Sequence, residues 1–258
     1  MFERRDLGQA VRGVVSTGLE SSGVLAVFTE RSGGGSRGPY ASLNLGGRGD
    51  DRARIVANRR QLAGALGLEA FACPEQVHGA TVAAVGADRA AAGFDGSVPM
   101  VRGADGLVTS SPGVAMAVFG ADCPLVALAD PATGTVAAVH AGWRGIAAGV
   151  IGEAVAAFDN PARVRAAVGP SVGADHYAVG EDVARAVSEA SEGGAVTRRS
   201  GPTLSLDLPA TIARMLRELG VRHVDVAEAC TACEEGRFFS VRRDGETGRQ
   251  ALIAGALG

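Results

Sequence analysis

The stretch FGADCPLVALADPATGTVAAVHAGWRG, Phe119 to Gly145, decides how the chain is read. Two apolar runs, PLVALA and TVAAVH, flank Asp130-Pro131-Ala132-Thr133-Gly134. Proline and glycine there supply turn conformations, so the segment predicts a β-hairpin. Pairing Asp130 with Thr135 across the loop sets Leu125 opposite His140 and puts Cys123, two residues earlier, on the same face. A thiol and an imidazole then become diagonal neighbours, and a slip of one residue would part them.

Outward from the hairpin, GVLAVFTE (residues 23–30) reads as a strand and ERSGGGSRGPYASLNLGGRGDD (30–51) as a long glycine-rich loop. Ile55, Leu62 and Leu66 recur at helical spacing behind Asp50 and Asp51, either of which is placed to cap a helix. TVAAV, GLVTS and VAMAVF precede the hairpin as further strands. A helix over 147–158, a strand over 163–169, helices near 181–191 and 207–219, and strands at 222–227 and 237–243 follow it. With no repeat, coiled coil or linker, residues 1–258 read as one mixed α/β domain.

Composition bounds the partners. The 258 residues are 47% hydrophobic with a formal net charge of -3, which nominates neither a nucleic acid nor an acidic polymer as partner. No segment approaches a signal peptide or a membrane span, so the expected location is cytoplasmic. All 25 basic residues are arginine, which excludes Schiff-base chemistry and a P-loop lysine and leaves arginine or backbone to meet any phosphate. Four cysteines are too few for a disulfide scaffold of this length and read as thiols or ligands.

Three short patterns carry less than they suggest. GGGSRG (33–38) matches a dinucleotide fingerprint literally, but Pro39 follows and no helix begins there to aim its dipole at a pyrophosphate. GPSVG (169–173) resembles a nucleophile elbow, yet Pro170 precedes Ser171 and the next helix begins only near Gly180. CTAC (230–233) is a lone C-x-x-C without a second pair, which reads as a turn at a strand end with incidental thiols.

His78, in CPEQVHGATVAAV, precedes Gly79 on a turn before a strand. Together with Cys123 and His140 it makes three protein ligands, the count of a catalytic zinc site with an open position. Asp122, beside the cysteine, is placed to orient a ligand histidine or move a proton. The same residues also read as a small core thiol, a hydrogen-bonded histidine at a strand end and, at Trp143, simple packing. A further alternative pairs Cys123 with His140 as nucleophile and base of a thiol hydrolase or amidase.

The ordered set QVHG (76–79), ADGLVT (104–109), ADCP (121–124) and VHAGWRG (139–145) resembles the multicopper polyphenol oxidase, or laccase-domain, family, now described as purine nucleoside phosphorylases. SLNLG, NRRQL, GPSVG with YAVG, and CT followed by FFSVRRDGETGR extend the likeness over nearly the whole chain. The resemblance implies an α+β fold, a single domain with mixed β-sheets flanked by helices. It also implies zinc held by His78, Cys123 and His140. The implied activities are phosphorolysis of adenosine, inosine and methylthioadenosine and deamination of adenosine, with purine nucleosides and phosphate as partners. Relatives linked to peptidoglycan-precursor editing keep the thiol-amidase alternative in view. Four histidines are few for an oxygen-reducing copper cluster, so copper-dependent polyphenol oxidation stands behind zinc chemistry. Many relatives carry cysteine where this chain has His176 before Tyr177. For that chemistry Arg59, Arg144 and Arg242 are the candidate phosphate holders, Arg144 first because it follows His140 by four positions. Asn44, in the glycine-rich loop, is a candidate nucleoside contact.

Overall fold

In the computed structural model, which describes residues 1–47 and 49–256, PLVALA and TVAAVH form the strands Leu125–Asp130 and Thr135–His140. Their register is the expected one, Asp130 opposite Thr135 and Leu125 opposite His140. Asp130 holds the turn through its carboxylate, which accepts the Ala132 N–H at 2.9 Å.

These are the two middle strands of a six-stranded sheet that runs His223–Val226, Arg165–Val168, Leu125–Asp130, Thr135–His140, Gly106–Thr109, Val82–Ala84. Pairing is antiparallel through the middle and parallel at both edges, so the sheet is mixed. Leu125 to Asp130 is buried at every position, because the sheet is covered on both faces. Val126, Leu128, Ala137 and Val139 face Ile146, Ile151, Ile212 and Leu216, contributed by the helices Trp143–Ala147, Val150–Ala156 and Leu208–Glu218. Leu125, Ala127, Ala129 and Ala138 face a second sheet, meeting Phe28, Met116, Val118 and Leu252.

That second sheet has five strands in the order Phe2–Gly8, Val11–Ser16, Val24–Thr29, Gln250–Ala256, Ala115–Gly120, all antiparallel. Its far face packs Ala117, Phe119 and Ile253 on Leu62 and Ala63 of the helix Arg52–Ala65, capped by Asp51. A small sheet of Ala178–Val179, Thr203–Asp207 and Val196–Ser200 joins strands that precede and follow the helix Glu181–Ala190 in the chain. The fold is α+β. Among the described residues no helix is long and apolar enough to cross a membrane.

Several expectations need correction. Residues 237–243 are not a strand: Phe238 and Phe239 are fully buried side chains, and Val241–Asp244 is a helical turn whose Ser240 side chain caps the Arg243 N–H. The helix expected over 147–158 is confined to Val150–Ala156, since Gly149, with φ of 95°, separates it from the preceding helix Trp143–Ala147. In addition to the elements expected from sequence, the charged amino-terminal segment forms an edge hairpin, its turn made by Gly8, Gln9 and Ala10 at positive φ.

The two large sheets meet closely at Gly169, where a Cβ would stand 2.1 Å from Cδ1 of Phe28. Gly169→Ala is expected to destabilise the protein by about 1–3 kcal/mol through overpacking, seen as a lower midpoint in urea denaturation. An unchanged midpoint would contradict this packing.

Candidate metal centre and active-site cleft

His78 sits on a turn that its sequence does not favour, because Gln76 and His78 both adopt left-handed φ angles of 57° and 62°. The turn is held by a carboxylate. Asp105, fully buried, accepts the N–H of Val77 at 3.0 Å, of His78 at 2.9 Å and of Gly79 at 2.7 Å. Successive N–H groups in such a turn form a concave anion site, and here the chain fills it with its own acid. Gln76 secures the other side, donating to the Phe119 carbonyl at 2.7 Å and accepting the Phe119 N–H at 2.8 Å.

The same Asp105 carboxylate meets Nδ1 of His140 at 2.9 Å. This contact fixes the ring and leaves Nε2 to face Cys123. The ligand atoms of His78, Cys123 and His140 all lie within 4.8 Å of one another. The two imidazole rings stand edge to face with centroids 4.9 Å apart. Burial pushes the Cys123 thiol up, but hydrogen bonds to His140 and His78 and their charge outweigh it and bring it down to about 6. Burial likewise pushes His140 down, while Asp105 and Cys123 raise it to about 9. The group therefore favours a thiolate, the form that ligates metal.

The space beside these atoms is reserved by a glycine. A Cβ on Gly142 would stand 3.0 Å from the Cys123 sulfur, 3.3 Å from Cδ2 of His78 and 3.6 Å from Cε1 of His140. Two imidazoles and a thiolate, with a position left open, suit zinc in a catalytic role.

The trio opens into a cleft of roughly 1010 Å³, lined among others by Phe119, Tyr177, Arg52, Arg59, Arg242 and Arg249. Arg242 lies over the Tyr177 ring at 4.6 Å, and its backbone N–H binds Asp122. Arg249 is half-buried; burial lowers its pKa, while Cys123 and Asp122 act against that.

The remaining sequence-derived candidates divide. Asp122 does not orient a histidine: its oxygens accept Thr231 Oγ1 at 2.7 Å and the Arg242 N–H at 2.7 Å, tying down the Cys123 loop, and Asp105 performs the orienting. Arg59 reaches the cleft but gives three hydrogen bonds to the carbonyls of Leu45, Gly93 and Phe94. Asn44 is fully buried and bonded to Asp50, Gly46 and the Arg249 N–H, so it shapes the loop and does not line the cleft. Arg144 is exposed, stacked over Trp143 at 4.4 Å, and is not among the lining residues. Ser171 is buried, and only the three-residue 3-10 turn Ala174–His176 follows it, not the helix an elbow needs. Cys230 and Cys233 are not isolated thiols, because the fold brings His176 to them. Asp105 and Arg249 lay within motifs visible in the sequence, but an acid before a strand and an arginine after a glycine carry no distinguishing spacing.

With this geometry in view, the comparisons decide the family. Residues 25–256 match the model of the multi-copper polyphenol oxidoreductase laccase family. The chain belongs to this family. It is 40% identical over 237 residues to a purine nucleoside phosphorylase of Corynebacterium glutamicum, covering 89% of this chain and 93% of that protein. It is 38% identical to the purine nucleoside phosphorylase YlmD of Geobacillus stearothermophilus, covering 96% of each. The crystal structure of YlmD superposes with a TM-score of 0.90 over 99% of both chains at 34% identity.

Replacing Asp105 by Asn should weaken the hold on His140 and on the His78 turn together. Zinc affinity is expected to fall about 10–100-fold, measured by competition with a chromogenic chelator. An unchanged affinity would remove Asp105 from the centre.

Proposed function

We propose that the chain is a zinc-dependent purine nucleoside phosphorylase acting on adenosine, inosine and methylthioadenosine, and that the same centre deaminates adenosine. The observation that carries this reading is the meeting, in one cleft, of the His78, Cys123 and His140 donor set with several arginines. The names of relatives that span most of this chain support it.

His78, Cys123 and His140 would hold the zinc. When bound, zinc acts as a Lewis acid and lowers the pKa of a coordinated water to about 7. The residues around it supply binding and charge. Phe119 and Tyr177 border the cleft as largely buried rings, with Arg59 over the first and Arg242 over the second. Arg242 and Arg249 are the best placed to hold phosphate, since the chain has no lysine and both guanidinium groups border the cleft. In phosphorolysis a phosphate oxygen bonds to C1′ of the ribose as the bond to the purine nitrogen breaks. The departing base takes the electron pair and a proton. Guanidinium groups held on one side of the cleft orient the phosphate for that displacement. Deamination exchanges ammonia for water at C6 and consumes no phosphate.

Copper-cluster oxidation finds less support in the donor set. Of the four histidines, two belong to this centre, His176 lies with Cys230 and Cys233, and His223 is exposed on a sheet edge. The thiol hydrolase reading keeps one favouring observation, the Cys123 thiol lowered beside His140. Metal dependence separates the two, because a thiolate bound to zinc is a poor free nucleophile.

Zinc-loaded protein given adenosine or inosine should release ribose 1-phosphate and free base only when phosphate is present. Cleavage independent of phosphate would indicate a hydrolase. No reaction on any nucleoside, together with amidase activity that survives chelation, would establish the thiol reading. Arg242→Ala is expected to raise the phosphate requirement about tenfold or more while changing adenosine deamination less. Equal losses in both reactions would remove Arg242 from phosphate binding.

A further inference from the structure

We propose a second metal site, separate from the His78 centre, in which His176, Cys230 and Cys233 bind one zinc ion. Their ligand atoms lie within 4.8 Å of one another. The Cys233 sulfur is 3.6 Å from Nδ1 of His176. Zinc–sulfur and zinc–nitrogen bonds of about 2.3 and 2.0–2.1 Å at a tetrahedral angle require a sulfur–nitrogen separation of roughly 3.5 Å. This pair is therefore already close to the spacing that a shared ion would impose, with the Cys230 sulfur within 4.8 Å of both.

The backbone prepares the thiols. Glu234 N–H donates to the Cys230 carbonyl at 3.1 Å, closing a turn that carries both cysteines of the C-x-x-C on neighbouring positions. Gly173 N–H donates to the Cys230 sulfur at 3.2 Å, which fixes the direction of that side chain. Both cysteines are free: Cys233 is exposed and Cys230 is half-buried at the margin of the core, whereas Cys73 is fully buried. Cys233 and His176 are exposed, so an ion can enter from solvent and take water as its fourth ligand. Binding releases two thiol protons, and two thiolates with an imidazole suit zinc.

The ion would join two loops that are 57 residues apart in the chain. Each loop leads to the catalytic cleft. Tyr177 follows His176 and lines the cleft beneath Arg242. Thr231 follows Cys230 and donates to Asp122, the neighbour of Cys123. A metal clip here would stiffen that side of the cleft without touching substrate.

The test uses full-length protein equilibrated in a zinc buffer, desalted, and analysed by elemental analysis and by alkylation mapped with mass spectrometry. Wild-type protein should hold one zinc equivalent more than the Cys230→Ser/Cys233→Ser variant. Zinc should protect Cys230 and Cys233 from iodoacetamide, and His176→Ala, an exposed position, should abolish that protection while the fold remains intact by circular dichroism. Equal zinc content in wild-type and double-variant protein, unprotected thiols, or a Cys230–Cys233 disulfide in protein kept under reductant would each overturn the proposal. None of these readouts depends on nucleoside turnover, so failure of the phosphorylase reading would leave the result interpretable.

Discussion

The Asp105 carboxylate is the interaction on which the site depends. A carboxylate with no exposure is costly unless its charge is matched, and four donors within 3.0 Å match it. Three of them are the N–H groups of a turn bent into left-handed geometry, and the fourth is a histidine ring. Asp105 directly precedes the strand Gly106–Thr109, so the six-stranded sheet sets its position. Its carbonyl also accepts the His140 N–H at 2.9 Å. One residue thereby couples a loop ligand and a strand ligand to the same rigid frame, which is how a metal site gains precision.

The layers explain why the cleft lies where it does. The central sheet is closed on one face by helices and on the other by the five-stranded sheet, and reactive groups can reach solvent only where the strands end. Cys123 precedes one strand of the hairpin and His140 ends the other, so both sit at the same end. Phe119 and Gly120 end the neighbouring strand of the second sheet and bring the loop of Gly46 and Gly47 alongside. The result is a cleft that brings Cys123, His78 and His140 together with four arginines, Arg52, Arg59, Arg242 and Arg249, and four acids, Asp50, Glu75, Asp95 and Asp122.

Much of this was legible in the hairpin. Proline and glycine in one turn, with a capping aspartate, determine the register, and register alone put Cys123 near His140. His78 was legible from chemistry and not from pattern, since nothing local predicts that a turn 45 residues before Cys123 returns to it. Asp105 escaped because three of its four side-chain partners are backbone N–H groups, which leave no trace in residue type. The edge hairpin at the amino terminus is charged along one side and lacks the apolar alternation that marks a strand. His176 could not be joined to Cys230 and Cys233 from sequence, because only the packing of two distant loops brings them together. Arg144 looked close to the centre by counting along the chain, but the helix that begins after Gly142 carries it to the surface.

The most direct test of the central claim is X-ray absorption at the zinc edge, on the Cys230→Ser/Cys233→Ser variant loaded with one equivalent of zinc. The account predicts a first shell with one sulfur at about 2.3 Å and nitrogen donors at about 2.0–2.1 Å, the sulfur disappearing when Cys123 is also replaced by serine. A shell without sulfur, or zinc that does not stay with the protein through gel filtration, would contradict it.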